Sequence, residues 1–252
     1  MSHIETWGGA ISGSRENQED WHTVLPLDGD ARVVIVVADG MGGHVAGETA
    51  SRLAGEAFAA AIARPGQTTL ADTFLTAITQ ANQALANAIE VDAKLDGMGT
   101  TLVGVVLTPE GMSWTSVGDS ALLLVRQGVV SRLNADHSYG AHMDEQIRLG
   151  HVSPMEAPTS AERSQLMSAV AGDEIELVEI AANAVQFLPG DLVVAASDGL
   201  LTLDFSKLAA VVARLFASPL ADIGAAILAA ITDEHKPHQD NATVVLARVR
   251  YT

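Results

Sequence analysis

Six consecutive apolar residues, VVIVVA at positions 33–38, constrain this chain more than any other stretch. They run straight into Asp39 and the glycines of DGMGGH. A β-branched run without polar alternation reads as a strand covered on both faces, so further layers must pack on each side of it. Its exit onto an acid and a permissive turn has two readings. Asp-Gly is ordinary turn chemistry, and it can equally hold a charged ligand close to the backbone.

The remaining pattern decides the fold class. WGGAISG and WHTVLPL alternate like short strands. From Gly47 the period changes to three and four, with Ala46, Ala50, Leu53, Ala57, Phe58 and Ala61 on one face of a predicted helix. LADTFLTAITQANQALANAIE gives a second helix, with Phe74, Ile78, Ala81 and Leu85 inward. TTLVGVVLT, MSWTSVG, ALLLVRQ and VVSRL follow as strands, punctuated by PEG, GDS and QG as hairpin signals. Residues 137–170 lose this regularity and read as a mobile flap insert of short helices. IELVEI and DLVVAAS read as strands, residues 205–234 as two helices, and ATVVLARVR as a closing strand. Blocks of strands and helix pairs, without strict βα alternation, predict an α+β fold. Two packed antiparallel sheets flanked by helix pairs, four layers in all, accommodate it, and no linker divides residues 1–252.

Composition excludes several classes. With 14 basic against 31 acidic residues, net charge −17, the chain is unsuited to nucleic acid or anionic membranes. There is no cysteine, hence no disulfide, thiolate metal site or cysteine nucleophile. The N-terminus lacks the basic and apolar regions of a signal peptide, and no apolar run reaches membrane-span length, so a cytoplasmic protein is expected. GxxxxGK[ST], HExxH and GxSxG are absent, and DGMGGH does not satisfy GxGxxG.

Five acids stand where predicted strands begin or end: Asp20, Asp39, Asp119, Asp198 and Asp240. Singly, each is a turn residue. Together at one end of a sandwich they would repel one another, and a hard divalent cation relieves that repulsion. Two ions about 3.5–4 Å apart are compatible with so many carboxylates, and such pairs serve in-line displacement at phosphorus. His235 and His238 in HKPH read as a solvated loop, and His137 and His151 as partners in local hydrogen bonds.

The segments SRENQED, VVADGMGGHVAGETAS, GTTLVGVVL, SVGDSALLLV, LNADHS, AASDGL and QDNATVVL occur in the order found in the metal-dependent protein Ser/Thr phosphatases. The chain resembles this PPM, or type 2C, family in its compact bacterial branch, from about residue 5 to the C-terminus. The resemblance implies hydrolysis of phosphoserine and phosphothreonine by a metal-bridging hydroxide, with two Mn²⁺ or Mg²⁺ ions and a possible third. It implies that Asp39 bridges both ions beside the Gly40 carbonyl, and that Asp198 and Asp240 are direct ligands. Glu19 and Asp20 match the acidic pair that holds the site directly or through water, Asp119 the acid of the third ion, and Arg15 the phosphate-gripping arginine. Met41 follows Asp-Gly where many relatives carry His, which leaves His44 as a candidate proton donor. RSQLMSAVAG, residues 163–172, departs from the family's RNxLTRALG pattern. Expected partners are phosphorylated proteins and a cognate Ser/Thr kinase, the chain itself acting as a monomer. A catalytically silent phosphoprotein-binding regulator and a small phosphate-ester hydrolase are the alternatives.

Overall fold

A computed structural model describes residues 2–28, 31–43, 45–64 and 69–251. Strands β1 (Ser2–Ile11), β2 (Asp20–Leu27) and β3 (Arg32–Met41) lead into helices α1 (Val45–Ala63) and α2 (Leu70–Val91). Next come β4 (Gly99–Thr100), β5 (Leu102–Thr108), β6 (Gly111–Val117), β7 (Ala121–Arg126) and β8 (Val129–Arg132). Short helices α3 (Tyr139–Arg148) and α4 (Ser160–Arg163) precede β9 (Glu179–Gln186) and β10 (Leu192–Ala196). Helices α5 (Phe205–Arg214) and α6 (Leu220–Asp233) and strand β11 (Ala242–Tyr251) complete the chain.

The strands form two sheets, ordered β1-β11-β10-β7-β8 and β2-β3-β5-β6-β9, with β4 paired to β3, and the pairs are antiparallel. The β-branched run explains the layering. Val33, Ile35 and Val37 point between the sheets, among Val105, Leu122, Val193 and Val245. Val34 and Val36 point the other way, into a core with Phe58 of α1 and Phe74 and Leu85 of α2. A matching outer core joins Leu123, Val194 and Leu246 to Leu208, Ile223 and Ile227 of α5 and α6. The expected four-layer α/β/β/α arrangement is therefore the observed one. Local caps start the helices: the Thr69 hydroxyl accepts from Asp72 N–H, and the Asp204 carboxylate accepts from Lys207 N–H. Close approach of α1 to the sheet depends on Gly104, where an added Cβ would lie 2.2 Å from the Phe58 ring.

One predicted strand is displaced. IELVEI was expected as a strand, but β9 begins only at Glu179. Ser168 explains this: its hydroxyl accepts from Leu177 N–H and donates to Leu177 C=O, both at 2.9 Å. With its backbone taken by a side chain, this stretch cannot join the ladder until two residues later, and Leu177 stays exposed. The 137–170 insert contains the expected short helices, and its ends are tied down by bridges between Ser138 and Leu166 and between Thr100 and Val170.

Candidate functional site

Strand register gathers the acids. Asp20 opens β2 directly opposite Asp39 near the end of β3. In the other sheet the last residue of β10, Ala196, pairs with Ala121 at the start of β7 and with Val244 near the start of β11. The loops bearing Asp119, Asp198 and Asp240 thus leave from one edge. At the start of β5, Leu102 pairs with Val117 at the end of β6, which places the Asp119 turn between the two sheets. All five acids consequently stand at one end of the sandwich, although up to 220 positions separate them in sequence (Asp20 to Asp240).

Backbone and hydroxyl contacts hold them there. Asp39 N–H donates to Thr101 Oγ1 at 3.0 Å, and its carbonyl accepts from Thr101 N–H and the Thr100 hydroxyl, both at 2.9 Å. The Thr101 and Ser120 hydroxyls share a hydrogen bond of 2.7 Å, linking the Asp39 strand to the Asp119 turn. Ser197 donates to Asp20 Oδ2 at 2.7 Å. Asn241 accepts from Glu19 N–H at 2.8 Å and donates to the Ser12 and Asn17 carbonyls at 3.0 Å, which fixes the loop before β2. Gly40 N–H donates to the Glu19 carbonyl at 3.1 Å. A Cβ at Gly40 would lie 2.1 Å from the Gly47 carbonyl oxygen, so only glycine lets the strand exit pass the start of α1.

The acids perturb one another as expected for crowded carboxylates. Burial, and then the charges of Asp20 and Asp198, hold the Asp39 carboxyl well above the ordinary range. Burial likewise raises Asp198, which the Asp240 charge reinforces and a hydrogen bond with the Asp39 side chain opposes. Asp20 is pushed up to about 6, chiefly by burial and against the Ser197 hydrogen bond. Asp119 is pushed up to about 7 by burial and then by the charges of Asp198 and Asp136.

Of the other expected site residues, Arg15 reaches the cluster through an ion pair with Asp240 at 2.6 Å, half-exposed on the rim. Glu19 lies against the start of α1, where a Cβ on Gly47 would come within 2.7 Å of its Oε2. His44 lies outside the described residues. Met41 lines the cleft, about 730 Å³, that opens over Asp39, Asp119 and Asp198. His137 is buried and accepts the Gly118 N–H on Nδ1, and His151 contacts Gln146 at 3.1 Å, both local roles. His238 and Lys236 border a second lobe of about 570 Å³, which shares Asp119 and Asp198 with the first and adds Asp240. Sequence reading passed over Thr101, Ser197, Asn241 and Lys236. The first three adjoin motif segments (GTT, SDG, QDN), and that adjacency was the available signal; Lys236 had none.

The donor set fits hard divalent cations. Every candidate is a carboxylate or carbonyl oxygen, and no thiolate and no imidazole stands among them. Asp20 Oδ1 is buried and has no well-formed hydrogen bond, only the nearby Thr243 hydroxyl, and a bound ion would satisfy it. As the side chains stand, no three acids or imidazoles among the described residues enclose a single point closely enough to hold an ion. The shared Asp39–Asp198 hydrogen bond and the Arg15 guanidinium instead compensate the cluster.

Comparison with known proteins agrees with this geometry. Residues 10–229 match the sequence profile of the family described as protein phosphatase 2C. The chain belongs to that family. Among curated members it is 33% identical over 172 residues to the serine/threonine protein phosphatase PstP of Mycobacterium tuberculosis, covering 66% of this chain and 31% of PstP. It therefore spans about a third of that relative's length. It is 32% identical over 182 residues to the serine/threonine phosphatase stp of Listeria innocua, covering 69% of each. Among solved structures, the S. agalactiae serine/threonine phosphatase superposes with a TM-score of 0.83 at 25% identity, covering 99% of this chain and 100% of that one. The catalytic domain of PstP in complex with two manganese ions gives a TM-score of 0.78 at 26% identity, with both chains covered fully, 100% each.

Proposed function

We propose that this chain is one catalytic domain, residues 1–252, that hydrolyses phosphoserine and phosphothreonine in proteins with two Mn²⁺ or Mg²⁺ ions. The observation that carries the reading is the convergence of Asp20, Asp39, Asp119, Asp198 and Asp240 at one sandwich end, with Asp20 Oδ1 buried and without a well-formed hydrogen bond. Asp39, Asp198 and Asp240, with the Gly40 carbonyl, would hold the ion pair; Glu19 and Asp20 would support it directly or through water, and Asp119 would serve a third ion. Bound there, the ions supply Lewis acidity and an acidified water for attack at phosphorus.

The chain's own groups do the rest. The half-exposed Arg15 guanidinium can turn from Asp240 to a substrate phosphate, where its fork matches two oxygens and offsets charge as the displacement proceeds. Thr100 and Thr101 fix the Asp39 backbone, and Ser197 orients Asp20, so the acids stay in place as charge redistributes. The open cleft admits a peptide-borne phosphate. Among the described residues no helix is long and apolar enough to cross a membrane. A cytoplasmic monomer that opposes a cognate Ser/Thr kinase completes the proposal.

Phosphate release from a phosphothreonine peptide, with Mn²⁺ and then with excess EDTA, tests it. Release that requires the metal supports the hydrolytic reading. Folded protein that binds the peptide but releases nothing would instead be a silent regulator. Release from small phosphate esters alone would make it a metabolite phosphatase.

A further inference from the structure

Most basic side chains of this acidic protein are already engaged: Arg15, Arg32, Arg52, Arg126, Arg132, Arg148, Arg163, Lys207, Arg248 and Arg250 each pair with a carboxylate. Among the described residues Arg64, Lys94, Arg214 and Lys236 have no ion-pair partner. Of these four only Lys236 borders the acid cleft, on the second lobe beside Asp240 and close to His238. The loop between α6 and β11 that carries it is pinned from both sides. Gln239 N–H donates to the Lys236 carbonyl, and the Gln239 side chain, itself buried, accepts from Thr202 at 2.8 Å. Lys236 is exposed on this pinned loop, between the second lobe and a further cavity lined by Ser12, Gly13 and Ser14.

The other lobe is its opposite in charge. It carries Asp173, Glu174 and Glu176 and, among the described residues, no Lys or Arg. Bound ions and Arg15 would offset much of the charge of Asp198 and Asp240, Asp136 is paired with Arg132, and Arg163 with Asp144. Lys236 is thus the one Lys or Arg on that lobe that no carboxylate pairs with among the described residues, within a protein of net charge −17. Such a field repels anionic peptides at a distance, so a local cation has a disproportionate effect on which of them can settle.

We propose that Lys236, with His238 as a neighbouring donor, selects phosphoprotein segments that carry a second anionic group beside the scissile phosphate. That group is a carboxylate or a second phosphate, received in the Lys236 lobe. This inference rests on the hydrolytic reading above. Lys236 acts on substrate selection and touches no reacting atom.

The test is kcat/KM with Mn²⁺ on matched phosphothreonine peptides whose neighbours, placed in turn on each side, are neutral, glutamate or phosphoserine. The glutamate arm and the phosphoserine arm separate the two sources of charge. The expected anionic-to-neutral ratio is about fivefold on one side of the scissile residue, the scale of a partly exposed ion pair, and it falls toward one at high salt. Lys236→Glu should bring the ratio below one through KM, and Lys236→Arg should restore it. A ratio independent of flanking charge, or one that Lys236→Glu leaves unchanged, overturns the inference while the phosphatase reading stands. Failure of the unaltered enzyme to hydrolyse any peptide or p-nitrophenyl phosphate overturns that reading and this inference with it.

Discussion

Asp119 gives the sharpest test of the acid cluster, because its environment carries its pKa from 3.8 to about 7. Burial is the largest cause, followed by the charges of Asp198 and Asp136, while Arg132 opposes them. A carboxyl raised in the fold stabilises it only while protonated. The stability is complete below the unfolded pKa of 3.8 and is lost as pH rises through about 7. At about 1.4 kcal/mol per pH unit, the ionised side chain costs the metal-free fold about 4 kcal/mol above pH 7. The cost is about 2 kcal/mol at pH 5 and vanishes near pH 3. Asparagine mimics the protonated form in size and charge. Asp119→Asn should therefore stabilise the protein in EDTA by an amount that grows with pH, by about 3 kcal/mol between pH 5 and pH 8. Urea unfolding followed by the emission of the chain's three tryptophans, Trp114 buried among them, measures this at each pH. Whatever the amide changes in local packing is independent of pH and cancels in the difference. A gain that is flat across that interval, or that shrinks as pH rises, would refute the argument that burial and like charge strain this acid. If Asp119 holds a third ion as proposed, saturating Mn²⁺ should reverse the order, since the wild-type fold then gains that ion's binding energy.

Three further outcomes follow from the same site and its supporting layers. Mn²⁺ uptake should release protons, more at pH 6 than at pH 8.5, because Asp20 and Asp119 sit at about 6 and about 7 without metal; calorimetry in buffers of different ionisation enthalpy reads the number, and equal release at both pH values would count against these acids as the receptors. Glu5, lowered to about 2 chiefly by hydrogen bonding to Arg248, contributes stability that is complete above pH 4.5 and fades as pH falls toward 2. Glu5→Gln should accordingly be destabilising at pH 7 and nearly neutral at pH 2, and chemical denaturation at the two pH values checks it. Gly104→Ala should destabilise by about 1–3 kcal/mol, because its methyl would meet the Phe58 ring at 2.2 Å; an unchanged melting temperature would show that α1 can shift freely on the sheet.

Much of this protein is written in local pattern. The run at 33–38 required cover on both faces, and it has it: Val33, Ile35 and Val37 face the opposite sheet, and Val34 and Val36 face α1 and α2. Strand ends, hairpins and caps depend on neighbours a few residues away, so Asp20, Asp39, Asp119, Asp198 and Asp240 were legible as strand-end acids, and the ordered motifs named their family. IELVEI was misread because its alternation is genuinely strand-like. The competing partner, Ser168, lies nine positions from Leu177 and acts only once the insert folds back.

Tertiary structure alone decided what those acids feel and what surrounds them. No sequence pattern specifies that Ser197 donates to Asp20, that Asp240 holds Arg15, or that Asn241 ties down the loop before β2. Nor does it show that Lys236, in a loop that reads only as solvated, borders the cleft with its charge unpaired. Residue type and local period choose the element, since they act through neighbours on one strand or helix turn. Burial, charge and hydrogen bonding act through space, and only strand register across two sheets brings residues 20 and 240 into one another's field.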